Sequence, residues 1–156
     1  MQLRFEPHKL ELEITETRVM RNADETIATL RKPNAMGITL SIDDFGTGYL
    51  SLSYLKRFPI HALKIDQSFV RDITIDRDAA AIIRAIIALA QTMNLQVIAE
   101  AVETAAQFSL LKLWRCDLMQ GYLFSKPLRC EAALDLLDQE RCYSQVAQLG
   151  RQLTII

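Results

Sequence analysis

The feature that most constrains this chain is a hydrophobic period that keeps switching between two and about 3.6 residues, as it does where strands alternate with helices. Leu10, Leu12 and Ile14 alternate with Glu11, Glu13 and Thr15, and Ile38, Leu40 and Ile42 alternate with Thr39, Ser41 and Asp43. Further strands are expected over 62–66, 95–100 and, less sharply, 118–122. Between them, 78–93 reads as a helix whose stripe of Ile82, Ile83, Ile86, Ile87 and Ala90 faces the core. Thr104 offers an N-cap to the apolar segment that follows it, and 131–137 carries one apolar face. The helix that follows Asn22 is expected to end early, at Pro33, which lacks the N–H a helix interior needs. Strands alternating with helices imply right-handed βαβ crossovers and a parallel sheet, in a doubly wound fold or a TIM-type barrel. Periodicity alone does not choose between the two.

Length and charge narrow the function classes. At 156 residues, half of them hydrophobic, the chain has the size of one domain, and no Ser-, Pro- or Gly-rich stretch marks a linker. Eighteen Lys and Arg against 19 Asp and Glu give a net charge of -1, which removes the electrostatic argument for DNA, RNA or an anionic membrane as partner. The apolar stretch 79–90 contains Arg84 and falls short of the roughly 20 residues a bilayer helix requires. The N-terminal residues lack the apolar core of a signal peptide. Cys116, Cys130 and Cys142 form no close CxxC pair and are read as reduced thiols of a cytoplasmic protein.

Polar residues gather at the C-terminal end of each strand: Glu13, then Asp43 and Asp44, then Lys64 and Asp66, then Glu100, then Gln120. In parallel sheets and barrels that edge binds ligands, because its loops vary without disturbing the packed layers below. Parity puts Glu13 and Asp43 on the face opposite the apolar residues of their strands. Converging carboxylates repel, and either a raised pKa or a hard divalent cation relieves the repulsion. Glu13, Asp43, Asp44 and Glu100 are oxygen donors suited to Mg²⁺ or Mn²⁺, whereas His8 and His61 are the only imidazoles, too few for a typical zinc site. Taken singly, each acid is an ordinary strand-end, cap or salt-bridge residue; their grouping along one edge is what points to a site. Asp44-Phe45-Gly46 also occurs in protein kinases, but the glycine-rich loop, the strand lysine motif and the His-Arg-Asp loop are missing from this sequence. Gly46 and Gly48 suit a tight strand-to-helix turn.

Five ordered motifs now add up: Glu13-Ile14-Thr15-Glu16, Asp43-Asp44-Phe45-Gly46-Thr47-Gly48, Leu63-Lys64-Ile65-Asp66, 97–104 (VIAEAVET) and 120–127 (QGYLFSKP). In this order and spacing, over about 10–128, the chain resembles the EAL family of bacterial cyclic di-GMP phosphodiesterases. The resemblance implies an α/β chain forming part of a TIM-type barrel, of which about five of eight strands are here. It implies hydrolysis of one phosphodiester bond of cyclic di-GMP to linear pGpG with two Mg²⁺ or Mn²⁺ ions, in bacterial signal transduction. Glu13, Asp43, Asp44 and Glu100 correspond to metal ligands, Lys64 to the lysine that orients or helps deprotonate the attacking water, and Gln120 to a residue near that water. Glu100 thus counts with Lys64 and Gln120 among the catalytic residues as well. Glu103 corresponds to an acid behind the ligands, Glu16 to the acid that braces the loop after Asp44, and Asp66 to a further supporting acid. The family's loop after the paired aspartates leads into a dimer-forming helix, so Leu50, Leu52 and Leu55 are expected to serve self-association.

The departures matter. The Glu-Ala-Leu signature and an early-strand Asn are absent, so 1–138 is read as a truncated EAL domain, followed by a tail over 139–156. A chain of this kind is expected to be poorly active alone and to need its open sheet covered by another copy or by the tail. Ala101 and Arg115 stand where the family usually has Gly. The rival readings are a degenerate EAL module that binds cyclic di-GMP or a protein without catalysis, and an unrelated α/β scaffold.

Overall fold

The computed structural model describes residues 6–48 and 50–138. Five parallel strands, β1 (Glu11–Thr15), β2 (Thr39–Phe45), β3 (Ala62–Ile65), β4 (Gln96–Ala99) and β5 (Leu118–Met119), form one sheet in the order of the chain. The helices between them are α1 (Glu16–Arg21), α2 (Ala23–Ala35), α3 (Leu52–Leu55), α4 (Gln67–Asp72), α5 (Arg77–Thr92) and α6 (Ala105–Leu113), with α7 (Cys130–Asp138) after the last strand. Sequential neighbours throughout, each joined by a helical crossover, are what successive βα units of a barrel wall produce.

The register sorts the strand residues onto two faces. Glu13 pairs with Ser41, Ser41 with Ala62, Lys64 with Ile98 and Ile98 with Leu118, so these residues share one face. The other face carries Leu12, Ile14, Leu40, Ile42, Leu63, Ile65, Val97, Ala99 and Met119, all apolar. That apolar face packs on the helices. Val19 of α1, Ile27 and Leu30 of α2, Val70 of α4, Ile83, Ile86 and Ile87 of α5 and Leu111 of α6 join it in one core. Ile82, expected in the α5 stripe, is 38% exposed; the buried arc runs through Ile83, Ile86, Ile87 and Ala90. Asp76 caps the N-terminus of this helix, its carboxylate accepting from Asp78 N at 2.8 Å.

Pro33 does not stop α2, which runs on to Ala35. The real stop is Gly37 at φ +84: Ile38 N donates to Pro33 O and Gly37 N to Asn34 O, the paired bonds of a Schellman ending. Pro33 lies in the last turns, where Ile27 and Leu30 have already anchored the helix on the sheet. The fifth strand ends at Met119, short of the expected Tyr122, because a turn begins at Gly121. Of the leucines after Gly48, Leu55 is buried, Leu50 packs partly on the core and Leu52 is exposed, so most of that apolar face is already covered. Ala101 at φ +52 and Arg115 at φ +63 both occupy the left-handed region, which explains why glycine suits these two positions. Cys116 is buried and donates to Leu118 O, and burial pushes its thiol up to about 12.

Candidate active site

The rim of the polar face is assembled by a β-bulge. Ile42 pairs with Leu63 and Phe45 with Ile65, so both Asp43 and Asp44 stand opposite the single residue Lys64. Strict alternation would have sent adjacent aspartates to opposite faces. The extra residue is absorbed by Asp44 at φ +55, a conformation that Asp tolerates better than most residues do.

Lys64 is the centre of the group. Its side chain is 4% exposed, and its Nζ lies 2.5 Å from Glu13 Oε1, 2.6 Å from Glu100 Oε1 and 3.8 Å from Asp43 Oδ1. Gln120 Nε2 donates to the same Glu100 oxygen at 2.9 Å. Carboxylates from the ends of β1, β2 and β4 therefore meet at one ammonium group, and the loop after β5 joins them through Glu100. Burial by itself would lower the pKa of Lys64, but hydrogen bonds to Glu100 and Glu13 and the charges of Glu100 and Asp43 outweigh it, and the pKa is raised. The Glu100 carboxyl is also raised, first by burial and then by Asp43 and Glu13, with Lys64 pulling it the other way. Asp44 is raised by burial, by the charge of Asp43 and by the neighbouring carboxyl of Asp66.

Supporting residues divide clearly. Glu16 is 2% exposed and accepts from Gly46 N at 2.9 Å, Gly48 N at 3.2 Å and Leu50 N at 2.8 Å. It thereby folds the loop after the bulge around one carboxylate, and a Cβ on Gly48 would collide with it. Asp66 caps α4 through Ser68 N at 2.9 Å and the Ser68 hydroxyl. Glu103 is exposed and contributes its backbone N–H, which donates to Gln107 Oε1. Gln107 and Ser41 are the residues that sequence reading passed over. Thr104-x-x-Gln107 is a capping box, a spacing visible in the sequence, whereas Ser41, fully buried with an unpartnered hydroxyl, carries no such mark.

The donor chemistry of the rim is that of a hard cation: carboxylate oxygens with no thiol or imidazole among them. Among the described residues no three such groups are clustered to hold an ion as they stand; Glu13 and Glu100 lie against the ammonium of Lys64. The open cleft of about 490 Å³ bordered by Ile14, Arg18, Arg21, Glu25 and Leu30 lies on the apolar, helix-bearing side, away from this rim.

With this geometry established, comparison with known proteins is direct. The chain belongs to the EAL domain family, whose match covers residues 2–127. It is 51% identical over 128 residues to cyclic di-GMP phosphodiesterase NbdA of Pseudomonas aeruginosa, across 82% of this chain and 16% of that protein. It is 49% identical over 130 residues to the bifunctional diguanylate cyclase/cyclic di-GMP phosphodiesterase MucR of the same organism, across 83% of this chain and 19% of that protein. The chain thus spans less than a fifth of the length of these relatives. Among solved structures, the MucR phosphodiesterase in complex with c-di-GMP superposes with a TM-score of 0.80 at 48% identity, over 82% of this chain and 52% of that one. Klebsiella pneumoniae BlrP1 in its manganese/cy-diGMP complex superposes with a TM-score of 0.73 at 36% identity, over 79% of this chain and 31% of that one. The five βα units are accordingly those of a TIM-barrel-like EAL fold. No helix among the described residues is long and apolar enough to cross a membrane.

Proposed function

We propose that this chain carries the lysine-and-carboxylate side of a cyclic di-GMP phosphodiesterase site, hydrolysing one phosphodiester bond to give linear pGpG. The observation that carries the reading is the convergence of Glu13, Asp43 and Glu100 on the Lys64 ammonium at the C-terminal edge of a parallel sheet. Its relatives with named cyclic di-GMP phosphodiesterase activity, and a solved neighbour with manganese and the dinucleotide, support it. Glu13, Asp43, Asp44 and Glu100 would hold a divalent ion, Mg²⁺ or Mn²⁺. Such an ion, when bound, acidifies water and neutralises charge on the phosphate.

The chain's own residues do the rest. In the reaction a water oxygen bonds to phosphorus while the bond from phosphorus to the ribose 3′ oxygen breaks; that oxygen leaves with a proton. Lys64, whose ammonium lies between Glu13 and Glu100, would orient the attacking water or help to deprotonate it, and as a cation it would stabilise negative charge on the phosphate. Gln120 fixes the Glu100 carboxylate through Nε2 and leaves its own carbonyl oxygen available to a water. Glu16 shapes the loop that carries Asp44. We assign the protein to the cytoplasm, where its thiols stay reduced.

The test is chromatographic separation of cyclic di-GMP from pGpG after incubation with Mg²⁺ or Mn²⁺. The chain aligns with 52% of the solved MucR chain, so turnover by the 156 residues alone is expected near background. It should rise when a segment supplying the Glu-Ala-Leu strand and the early-strand Asn is added in trans. Tight binding of cyclic di-GMP with no turnover in either arrangement would make the chain a receptor rather than an enzyme.

A further inference from the structure

The segment after β4 is held from two sides, and one side chain makes the second attachment. Glu100, which grips Lys64 and Gln120, is followed by Ala101 at φ +52, a left-handed conformation that disfavours a residue with a Cβ. On one side Val102 is tied to the loop after β5, its N donating to Gln120 O at 3.0 Å and its O accepting from Leu123 N at 2.9 Å. A Cβ on Gly121 would overlap the Val102 backbone, so this contact is as close as two backbones come. On the other side stands Gln107, 6% exposed. Its Oε1 accepts from Glu103 N at 2.8 Å and Thr104 N at 2.9 Å, while its Nε2 donates to Val70 O at 3.1 Å and Arg71 O at 3.3 Å.

The carboxamide is therefore used to its limit: two lone pairs and two hydrogens, all engaged. Val70 and Arg71 belong to α4, whose N-cap Asp66 comes two residues after Lys64. Gln107 thus joins the segment leaving Glu100 to the helix leaving Lys64. A glutamate there would keep the acceptors but set a charge against two carbonyls; an apolar residue would lose all four bonds. The capping box alone explains the bond from Gln107 N to Thr104 Oγ1 and the Thr104 N bond, but not the pair to α4.

From this geometry we propose that Gln107 is a positioning residue for the Lys64–Glu100 pair, holding the strained Ala101 turn so that the Glu100 carboxylate stays on the ammonium. In its kinetic consequence the proposal rests on the phosphodiesterase reading; in its structural consequence it does not. The test follows the ¹⁵N-edited signal of the Lys64 ammonium in wild type, Gln107→Leu, Gln107→Glu and, as a control of similar helix-cap cost remote from Glu100, Asp76→Ala. Both Gln107 variants are expected to shift the Lys64 signal or lose it to exchange, and Asp76→Ala to leave it in place. A folded Gln107→Leu with the wild-type Lys64 signal overturns the proposal; should that variant not fold, the same result for Gln107→Glu overturns it. In cyclic di-GMP hydrolysis with the complementing segment added in trans, kcat is expected to fall about tenfold to 100-fold with KM within about twofold. A wild-type protein with no hydrolysis would remove the activity while the Lys64 signal still decides the role of Gln107.

Discussion

The two faces of this sheet come from the same short strands and do opposite work. One face is apolar at every paired position from Leu12 to Met119 and vanishes beneath the helices. The other holds Glu11, Glu13, Ser41, Asp43, Lys64 and Gln96 along with a few apolar residues such as Ile98. Burying the first supplies the hydrophobic free energy that holds the βα units together. The second spends some of it: Lys64 is almost wholly withdrawn from water, and Glu13 and Glu100 give up part of their own hydration to pair with it. The period-2 alternation of a strand thus lets neighbouring residues, Leu63 and Lys64, serve stability and chemistry separately.

Substitutions should break the two faces differently. With the complementing segment added in trans, Lys64→Met is expected to lower cyclic di-GMP hydrolysis by about 10²–10³-fold, measured as kcat by product chromatography. It should also make stability fall with rising pH. Glu100 already titrates above its ordinary value mainly because it is buried, and without Lys64 its carboxyl rises further. A group raised in the folded state contributes stability below its unfolded pKa that is lost as pH climbs through the folded one. Denaturation midpoints of Lys64→Met at pH 5 and pH 7 check this, the lower pH giving the higher midpoint relative to wild type. Next door, Leu63→Ala removes a fully buried side chain from the apolar face. A loss of about 2–5 kcal/mol is expected, read by urea unfolding and nearly independent of pH over the same range. The smallest effect expected is from Glu16→Gln, about 1–3 kcal/mol, because an amide N–H₂ would then face donors that now share a carboxylate. Its mark would be faster hydrogen exchange at Gly46, Gly48 and Leu50 with α5 unchanged.

Much of this division was readable before any coordinates. Alternation in 10–15 and 38–43 predicted which face Glu13 and Asp43 share, because a strand has no freedom to do otherwise. The α5 helix and the Thr104 cap were likewise visible, since local spacing decides them. Three features were not. The bulge at Asp43 and Asp44 depends on pairing with β3, a non-local fact. Pro33 was read as a stop because its local penalty is real, yet packing of Ile27 and Leu30 on the sheet carried the helix to its glycine ending. The reach of Gln107 to α4 spans 36 and 37 residues of sequence, and no local pattern encodes it.

The central claim is that the polar rim, and not the helix-covered face, takes the divalent ion and the dinucleotide. Paramagnetic broadening by Mn²⁺ tests it directly in the intact chain, whether or not the chain turns substrate over. In ¹⁵N spectra at substoichiometric Mn²⁺, broadening should centre on the amides of Glu13 to Thr15, Asp43 to Phe45, Lys64 to Asp66 and Glu100, and spare the outer turns of α5. Broadening centred on any other part of the surface, or uniform weak broadening with no centre, would contradict the assignment.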